Sequence, residues 1–310
     1  MKIKIAAAQY PITAHHSINE WIAHTQKWIQ KAVEQGAGLL LFPEYGSMEL
    51  VSIFPAEIQK NIQQQVIEMQ VFLEIFCTTY KTAAEAHNVY IVAPSFPVRE
   101  QEKTYNRTFV FGPDGYMGYQ DKLFMTRFEN EEWNVTSGNP RLCLFETKWG
   151  TFGIQTCYDS EFSIGSHILA RNGADLILIP SCTETIRGAA RVHIGARARA
   201  LETQSYTVVA QTVGNAEWSP AVDINYGYAG FYTTPDLYMP EEGIEKIKTP
   251  QEEGWLVHEL DMSLIGEVRR NGQVFNYKDH LSLTYHFSDN ESLEIIRKDI
   301  KKEIVQESIL

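Results

Sequence analysis

Cysteine is scarce in this chain of 310 residues: four stand at positions 77, 143, 157 and 182, with no paired spacing. There is no Cys-x-x-Cys and no His-x-x-x-His, and the nine histidines are dispersed apart from His15-His16, in what reads as a loop. Neither a disulfide framework nor a local metal motif is therefore expected. Positive charge is short as well. Lys and Arg number 27 against 39 Asp and Glu, a formal charge of -12 with no basic run, which argues against nucleic acid as a partner. No stretch approaches the roughly 18 apolar residues of a membrane span, and the apolar part of the opening MKIKIAAAQYPIT is short for a signal peptide. Repeats at solenoid or propeller periods are absent too. These absences predict a cytoplasmic protein with free thiols and no membrane partner.

What is present is an ordinary globular composition, 44% hydrophobic and 21% charged, long enough to bury a large core. KIKIAAAQ reads as a strand and residues 18 to 35 as an amphipathic helix, broken by Gly36 and Gly38 before the apolar GLLLF. A second long helical pattern runs from 56 to 87, followed by the strand NVYIVAP. Pro113-Asp114-Gly115 marks a hairpin between TYNRTFVF and GYMGYQ, and a similar pair, RLCLFET and TFGIQT, follows across Lys148-Trp149-Gly150. Further on, 161 to 172 and 187 to 204 read as helices, and ADLILIP, YTVVAQTV and GWLVHELD as strands.

Buried strands between helices, mixed with hairpins, predict an α/β protein with a mixed sheet. No linker divides the chain, so one domain over residues 1 to 285 is expected. Residues 286 to 310 read as a helical extension. It opens with Ser288-x-x-Glu291 and carries Leu293, Ile296, Ile300 and Ile304 on one face. Such a stripe needs a cover, from its own domain or from a second subunit.

Three polar residues stand where strand patterns end, the usual place for active-site residues in α/β sheets. Glu44 closes GLLLFPE, Lys122 follows GYMGYQD and Cys157 follows TFGIQT. Singly, each has a plain alternative: a small core hydrophobe for the cysteine, a surface charge for the other two. Cys77 and Cys143 fit that plain reading, whereas Cys182 also follows a buried strand and rivals Cys157. Jointly the three make a chemical unit. A thiol needs a base or a nearby cation for activation, the more so at Cys157, where Asp159 and Glu161 oppose a thiolate. Glu44 can take the thiol proton, and Lys122 can balance the charge and hold an oxyanion. A Cys–His scheme through His193 or His167 is the competing arrangement.

These residues lie in segments that resemble the nitrilase superfamily of carbon–nitrogen hydrolases. The segments are LLLFPEYGSMEL, GYQDKLFMTRFENEEW, GIQTCYDSEF with ARNGADLILIPS, and ARARALETQSYTVVAQTVGN, in the family's order and at about its spacings. The resemblance implies a four-layer α-β-β-α sandwich with two mixed β-sheets. It also implies a triad of Glu44 as general base, Lys122, and Cys157 as the nucleophile that forms a thioester. Lys122 and the backbone N–H of Tyr158 would hold the oxyanion, and Glu129 matches the family's second glutamate, with Glu131 close by. The family implies a homodimer or higher oligomer, a small-molecule amide as substrate and no cofactor. A small primary amide is favoured over N-carbamoyl compounds and nitriles. Glu161 stands where many members have Arg, which leaves the substrate open, as does the alternative of a non-catalytic scaffold. Trp133, Trp218, Tyr226 and Tyr228 are candidate pocket aromatics, and Arg127 and Arg187 candidate anion contacts.

Overall fold

The computed structural model describes residues 1–280. The extension at 286 to 310, with its apolar stripe, lies outside the described residues. The strands are β1 (Lys2–Pro11), β2 (Leu39–Leu41), β3 (Tyr90–Val92), β4 (Phe96–Glu100), β5 (Lys103–Gly112), β6 (Gly115–Asp121) and β7 (Phe145–Thr147). They continue with β8 (Gly150–Ile154), β9 (Leu176–Ser181), β10 (Tyr206–Asn215), β11 (Ile224–Asn225), β12 (Gly230–Tyr232), β13 (Ile244–Ile247) and β14 (Gly254–Asp261). The helices are α1 (Ile18–Glu34), α2 (Ala56–Gln59), α3 (Ile62–Glu68), α4 (Leu73–His87), α5 (Arg127–Glu131), α6 (Ser163–Arg171), α7 (Ile186–Thr203) and α8 (Ser263–Asn271).

Two mixed sheets result. In the first, β14 pairs antiparallel with β1, which continues in parallel through β2 to β3, and β5 joins β3, β4 and β6. In the second, β7 and β8 form a hairpin, β8, β9 and β10 run parallel, and β12 and β13 add antiparallel strands. The sheets are joined at one corner, where Gln9, Tyr10 and Pro11 pair with Gln211, Thr212 and Val213.

Strand alternation builds the layers. Ile3, Ile5 and Ala7 of β1 and Leu39 and Leu41 of β2 turn inward to meet Phe152, Leu176, Leu178 and Val208 of the second sheet. The intervening Ala6, Ala8, Tyr10 and Leu40 turn outward onto Trp21, Ile29, Phe76 and Tyr80 of α1 and α4. On the far side, Ile177, Ile179 and Val209 pack on Val192, Ala196 and Ala200, one face of α7. The order helix, sheet, sheet, helix is the expected four-layer sandwich. Full burial of each such Leu or Ile is worth about 1.5–3 kcal/mol.

The long helix expected over 56 to 87 is instead three helices and a 3-10 turn. Asn61 accepts a hydrogen bond from the Gln64 N–H and starts a new helix. Beyond it, Gln70 reaches the edge strand β4, donating to the Pro97 carbonyl and accepting from the Arg99 N–H. This one side chain thereby helps to seal the edge.

Helix α7 also clamps the segment that carries Cys157. Arg199 donates to the Ser160 carbonyl at 3.1 Å, and a Cβ at Gly195 would lie 2.8 Å from the same oxygen. Backbone cannot give way like a flexible side chain. Gly195→Ala is expected to destabilise the fold by about 1–3 kcal/mol through overpacking. Urea denaturation checks this: an unchanged midpoint would show that α7 and the Ser160 backbone can slide apart.

Candidate active site

Glu44 stands three residues beyond β2 and is 1% exposed. The chain turns sharply after it. Tyr45 takes a left-handed conformation, φ 54°, held by a hydrogen bond from its N–H to the Ser95 hydroxyl at 2.9 Å. Glu44 Oε1 accepts from Lys122 Nζ and from Asn106 Nδ2, both at 2.8 Å, and Oε2 accepts from the Cys182 N–H at 2.9 Å.

Lys122 follows β6, and its backbone N–H donates to the Asn106 carbonyl at 2.9 Å. Its ammonium, buried with the side chain, lies between two carboxylates: Glu44 at 2.8 Å and Glu129 at 2.6 Å. Glu129 is held by local structure. Thr126 and Glu129 form a capping box on α5, so Glu129 Oε2 accepts from the Thr126 N–H at 2.9 Å and hydroxyl at 2.8 Å. Its Oε1 accepts from the Tyr45 hydroxyl at 2.8 Å and from Asn106 Nδ2 at 3.1 Å. Glu131, the neighbouring candidate, is turned to the surface and paired with Arg127 at 2.8 Å.

Cys157 follows β8 at the start of a 3-10 helix, Cys157–Glu161, with φ 47°. A non-glycine residue in this region costs on the order of 1–3 kcal/mol and is kept only where its surroundings over-determine it. Here Asp159 contributes to that hold. Its buried carboxylate accepts from the N–H groups of Leu123 and Phe124, at 3.1 and 2.7 Å, and so ties the cysteine segment to the lysine segment. The Cys157 thiol donates to the Cys182 carbonyl at 3.7 Å and lines the same pocket as the Glu44 carboxylate.

The protonation pattern is uneven. Burial raises Glu44 above the ordinary glutamate value, against the pull of Lys122. Burial acts on Glu129 in the same sense, but Lys122 and the Thr126 donors outweigh it and hold this carboxyl below the ordinary value. Lys122 is opposed by burial yet carried well above its usual pKa by Glu129 and Glu44. Burial, then Glu44, push the Cys157 thiol well up, with Lys122 working the other way. Burial pushes Asp159 up to about 7.

The pocket over these groups has a volume of about 70 Å³ and is lined by Tyr45, Thr126, Phe128, Trp133, Cys182, Glu184, Ala221, Val222 and Ile224 besides the four residues above. Of the candidate aromatics only Trp133 lines it, tilted against Tyr45 at 4.6 Å. Tyr158 packs its ring edge-on against Phe162 at 4.9 Å, outside the pocket lining. Arg127 is exposed on the Glu131 pair, and Glu161 pairs with Arg191 at 3.1 Å.

The competing thiol and imidazoles are engaged with other partners. Cys182 lends the site its backbone, while its thiol hydrogen-bonds Asn225 at 3.4 Å and is pushed up to about 12 by burial. His193 has both ring nitrogens engaged, with Tyr232 at 2.6 Å and Gln211 at 3.0 Å, and burial brings it down to about 4. His167 lies beside Glu202 at 3.3 Å. Sequence reasoning missed Asn106, which donates to both carboxylates from inside β5, and Tyr45 and Ser95, which set the turn; nothing in a one-dimensional pattern distinguishes them.

The profile of the carbon-nitrogen hydrolase family matches residues 4–270. The probable hydrolase YhcX of Bacillus subtilis is 30% identical over 284 residues, which cover 92% of this chain and 55% of that protein. The chain thus spans about half the length of that relative. The omega-amidase NIT2-A of Xenopus laevis is 26% identical over 278 residues, 86% of this chain and 92% of that one. A solved structure of the Nesterenkonia sp. AN1 amidase, with the acetamide moiety of fluoroacetamide covalently added at its active-site cysteine, is similar with a TM-score of 0.71. It shares 17% identity, covering 92% of this chain and 96% of that one. This last likeness is one of fold. No helix among the described residues is long and apolar enough to cross a membrane.

Asn106 offers a test of the buried charge network. Asn106→Ala removes a donor from both carboxylates, and hydrogen bonds to charged groups contribute about 1.5–3 kcal/mol. A loss of that size is expected in denaturant unfolding at neutral pH. A loss below about 0.5 kcal/mol, the level of an ordinary surface substitution, would show that the pair does not depend on the amide.

Proposed function

The chain belongs to the carbon–nitrogen hydrolase family, and from that premise we propose that it hydrolyses a small primary amide to a carboxylate and ammonia through a thioester on Cys157. The observation that carries this reading is the geometry around Lys122: its ammonium lies 2.8 Å from Glu44 and 2.6 Å from Glu129, in a pocket that Cys157 also lines.

In the first half-reaction Glu44 takes the thiol proton as sulfur bonds to the amide carbon, and the carbonyl electron pair moves onto oxygen. The Lys122 ammonium and the Tyr158 N–H hold that oxyanion. Protonated Glu44 then gives its proton to the nitrogen as the C–N bond breaks and ammonia leaves. In the second, Glu44 deprotonates a water that attacks the thioester. The C–S bond breaks and the proton returns to sulfur. Glu129 stays ionised throughout and fixes Lys122. Every step uses groups of the chain and water.

The pocket supports a small acyl part. Its 70 Å³ is well under the roughly 300–1,000 Å³ of ordinary ligand pockets. Nitriles and N-carbamoyl compounds could use the same residues and are the nearest alternatives; a binding role without turnover is the third.

A panel of small amides, N-carbamoyl compounds and nitriles tests these readings by ammonia release and intact-protein mass spectrometry. Ammonia release from an amide is expected, with an acyl adduct that maps to Cys157, and Cys157→Ala should lower the rate at least about a thousandfold. Ammonia release that survives in Cys157→Ala would overturn the thiol mechanism. Adducts from nitriles or N-carbamoyl compounds alone would move the substrate class, and silence across the panel would favour the binding role.

We extend the proposal to assembly. Ile186, Ile194 and Leu201 are exposed on one side of α7, and Ile164 and Ile168 are exposed on the neighbouring α6. An apolar patch of this kind marks a protein interface, and the partner proposed is a second copy of the chain. Light scattering is expected to give a dimer or a multiple of it, and Ile194→Glu should shift it toward monomer; a wild-type monomer at micromolar concentration would refute this.

A further inference from the structure

Outside the pocket, three ligating side chains, two buried and one half-buried, converge from three separate elements. His15 lies in the turn between β1 and α1, His24 on α1, and Glu49 on the 3-10 helix Gly46–Ile53. One ligand atom from each lies within 4.8 Å of the others. His15 Nε2 and Glu49 Oε2 are 3.6 Å apart, and the two imidazole centroids 4.9 Å. We propose that His15, His24 and Glu49 form a binding site for one first-row divalent metal ion, with zinc as the probe ion.

Hydrogen bonding in the cluster carries the argument. Buried ring nitrogens normally find partners, and a lost one costs about 1–3 kcal/mol. Yet Nε2 of both His15 and His24 is buried without a hydrogen bond, and His15 as a whole is only 5% exposed. Nε2 of His15 thus faces the Glu49 carboxylate without a hydrogen bond, and His24 brings a second under-satisfied imidazole to the same cluster.

The surrounding groups orient the set as outer-shell partners do at metal sites. The Tyr10 hydroxyl donates to Glu49 Oε1 at 2.8 Å, which leaves Oε2 turned to the histidines with only a long contact, 3.5 Å, from the Thr13 N–H. The Ser52 hydroxyl accepts from the His15 N–H at 2.8 Å and donates to the Glu49 carbonyl at 2.6 Å, so it ties the backbones of these two ligands together.

Two imidazoles and one carboxylate suit zinc and its first-row neighbours rather than magnesium or calcium, which take all-oxygen shells. With metal–ligand bonds of about 2.0–2.2 Å, tetrahedral ligand atoms sit roughly 3.3–3.6 Å apart. The His15–Glu49 separation already meets that spacing, and His24, half-buried on α1, closes the rest by side-chain rotation. The rival occupants are a proton shared by His15 and Glu49, or a water. An ion here would pin α1 and the end of β1 to the segment that begins two residues after Glu44, a structural role independent of the proposed amide chemistry.

The test uses the whole chain, stripped with chelator and then dialysed against zinc. One zinc per chain is expected by elemental analysis, with micromolar or tighter affinity and a rise of a few degrees in Tm. His15→Gln and His24→Gln should each weaken binding at least about 100-fold and abolish the Tm rise. His16→Gln, an exposed neighbour, and Cys157→Ala, which removes the other metallophilic group, should keep both. His24 is half-buried, so its variant can be shown to fold by its circular dichroism. No stoichiometric zinc in the wild type, zinc retained in His24→Gln, or zinc lost in Cys157→Ala would each overturn the proposal.

Discussion

The ammonium of Lys122, shut between Glu44 and Glu129 with almost no exposure, is the constraint on which the rest of the site depends. A buried charge without partners costs several kcal/mol, so each of these three groups is tolerable only in the presence of the others. With one cation and two carboxylates the set still carries an excess negative charge. That excess is spread over fixed donors: Asn106 on both carboxylates, Thr126 and Tyr45 on Glu129, and the Cys182 N–H on Glu44. The donors come from β5, from the turns after β2 and β9, and from the capping box of α5, so the charge network is also the place where the elements are tied together.

The two sheets explain why these groups can meet at all. Glu44, Lys122, Cys157 and Cys182 each stand a few residues beyond the end of a strand, two from each sheet. Among the described residues the sheets join where the last residues of β1 pair with β10, and the loops of both gather near one another. Asp159 then fixes the distance between the lysine and cysteine segments, and α7 presses on Ser160 from behind. Packing at Gly195 and charge at Lys122 therefore act on the same five-residue 3-10 helix from opposite sides.

The sequence disclosed the parts of this that leave local marks. Alternation in KIKIAAAQ and ADLILIP gave strands with one face for each core layer, and three polar residues at strand ends stood out because they follow apolar runs. The residues that answer to tertiary contacts left no such mark. Asn106 sits in an alternating strand like any inward polar residue, and Glu129 could be told from Glu131 only once the capping box turned one inward and Arg127 drew the other out. The helix expected over 56 to 87 restarts at Asn61, whose side chain caps α3, and tightens to a 3-10 turn where Gln70 bonds an edge strand. Trp218, Tyr226 and Tyr228 were plausible pocket walls by type, yet none lines the pocket. His15 and His24 are nine residues apart, and only the turn after β1 brings them to the same carboxylate.

The acidic neighbours of Cys157 posed the question of how a thiol there could react. Asp159 is turned onto the Leu123 and Phe124 N–H groups, and Glu161 pairs with Arg191, so neither is spent on the sulfur. Burial, and after it the charge of Glu44, raise the thiol against the opposing pull of Lys122 and favour its protonated form at rest. A second negative charge in so small a volume is unfavourable unless it moves at once to where Lys122 can reach it. On the proposed chemistry it does: as the proton passes to Glu44, charge passes through sulfur to the carbonyl oxygen of the substrate. The resting site is thus poor at making a free thiolate and well arranged for making an oxyanion, so the driving force for proton transfer appears only when a carbonyl is in place. That arrangement favours reaction with a bound substrate over loss of the thiol to side reactions, and it follows from a single buried cation held by two unequal carboxylates.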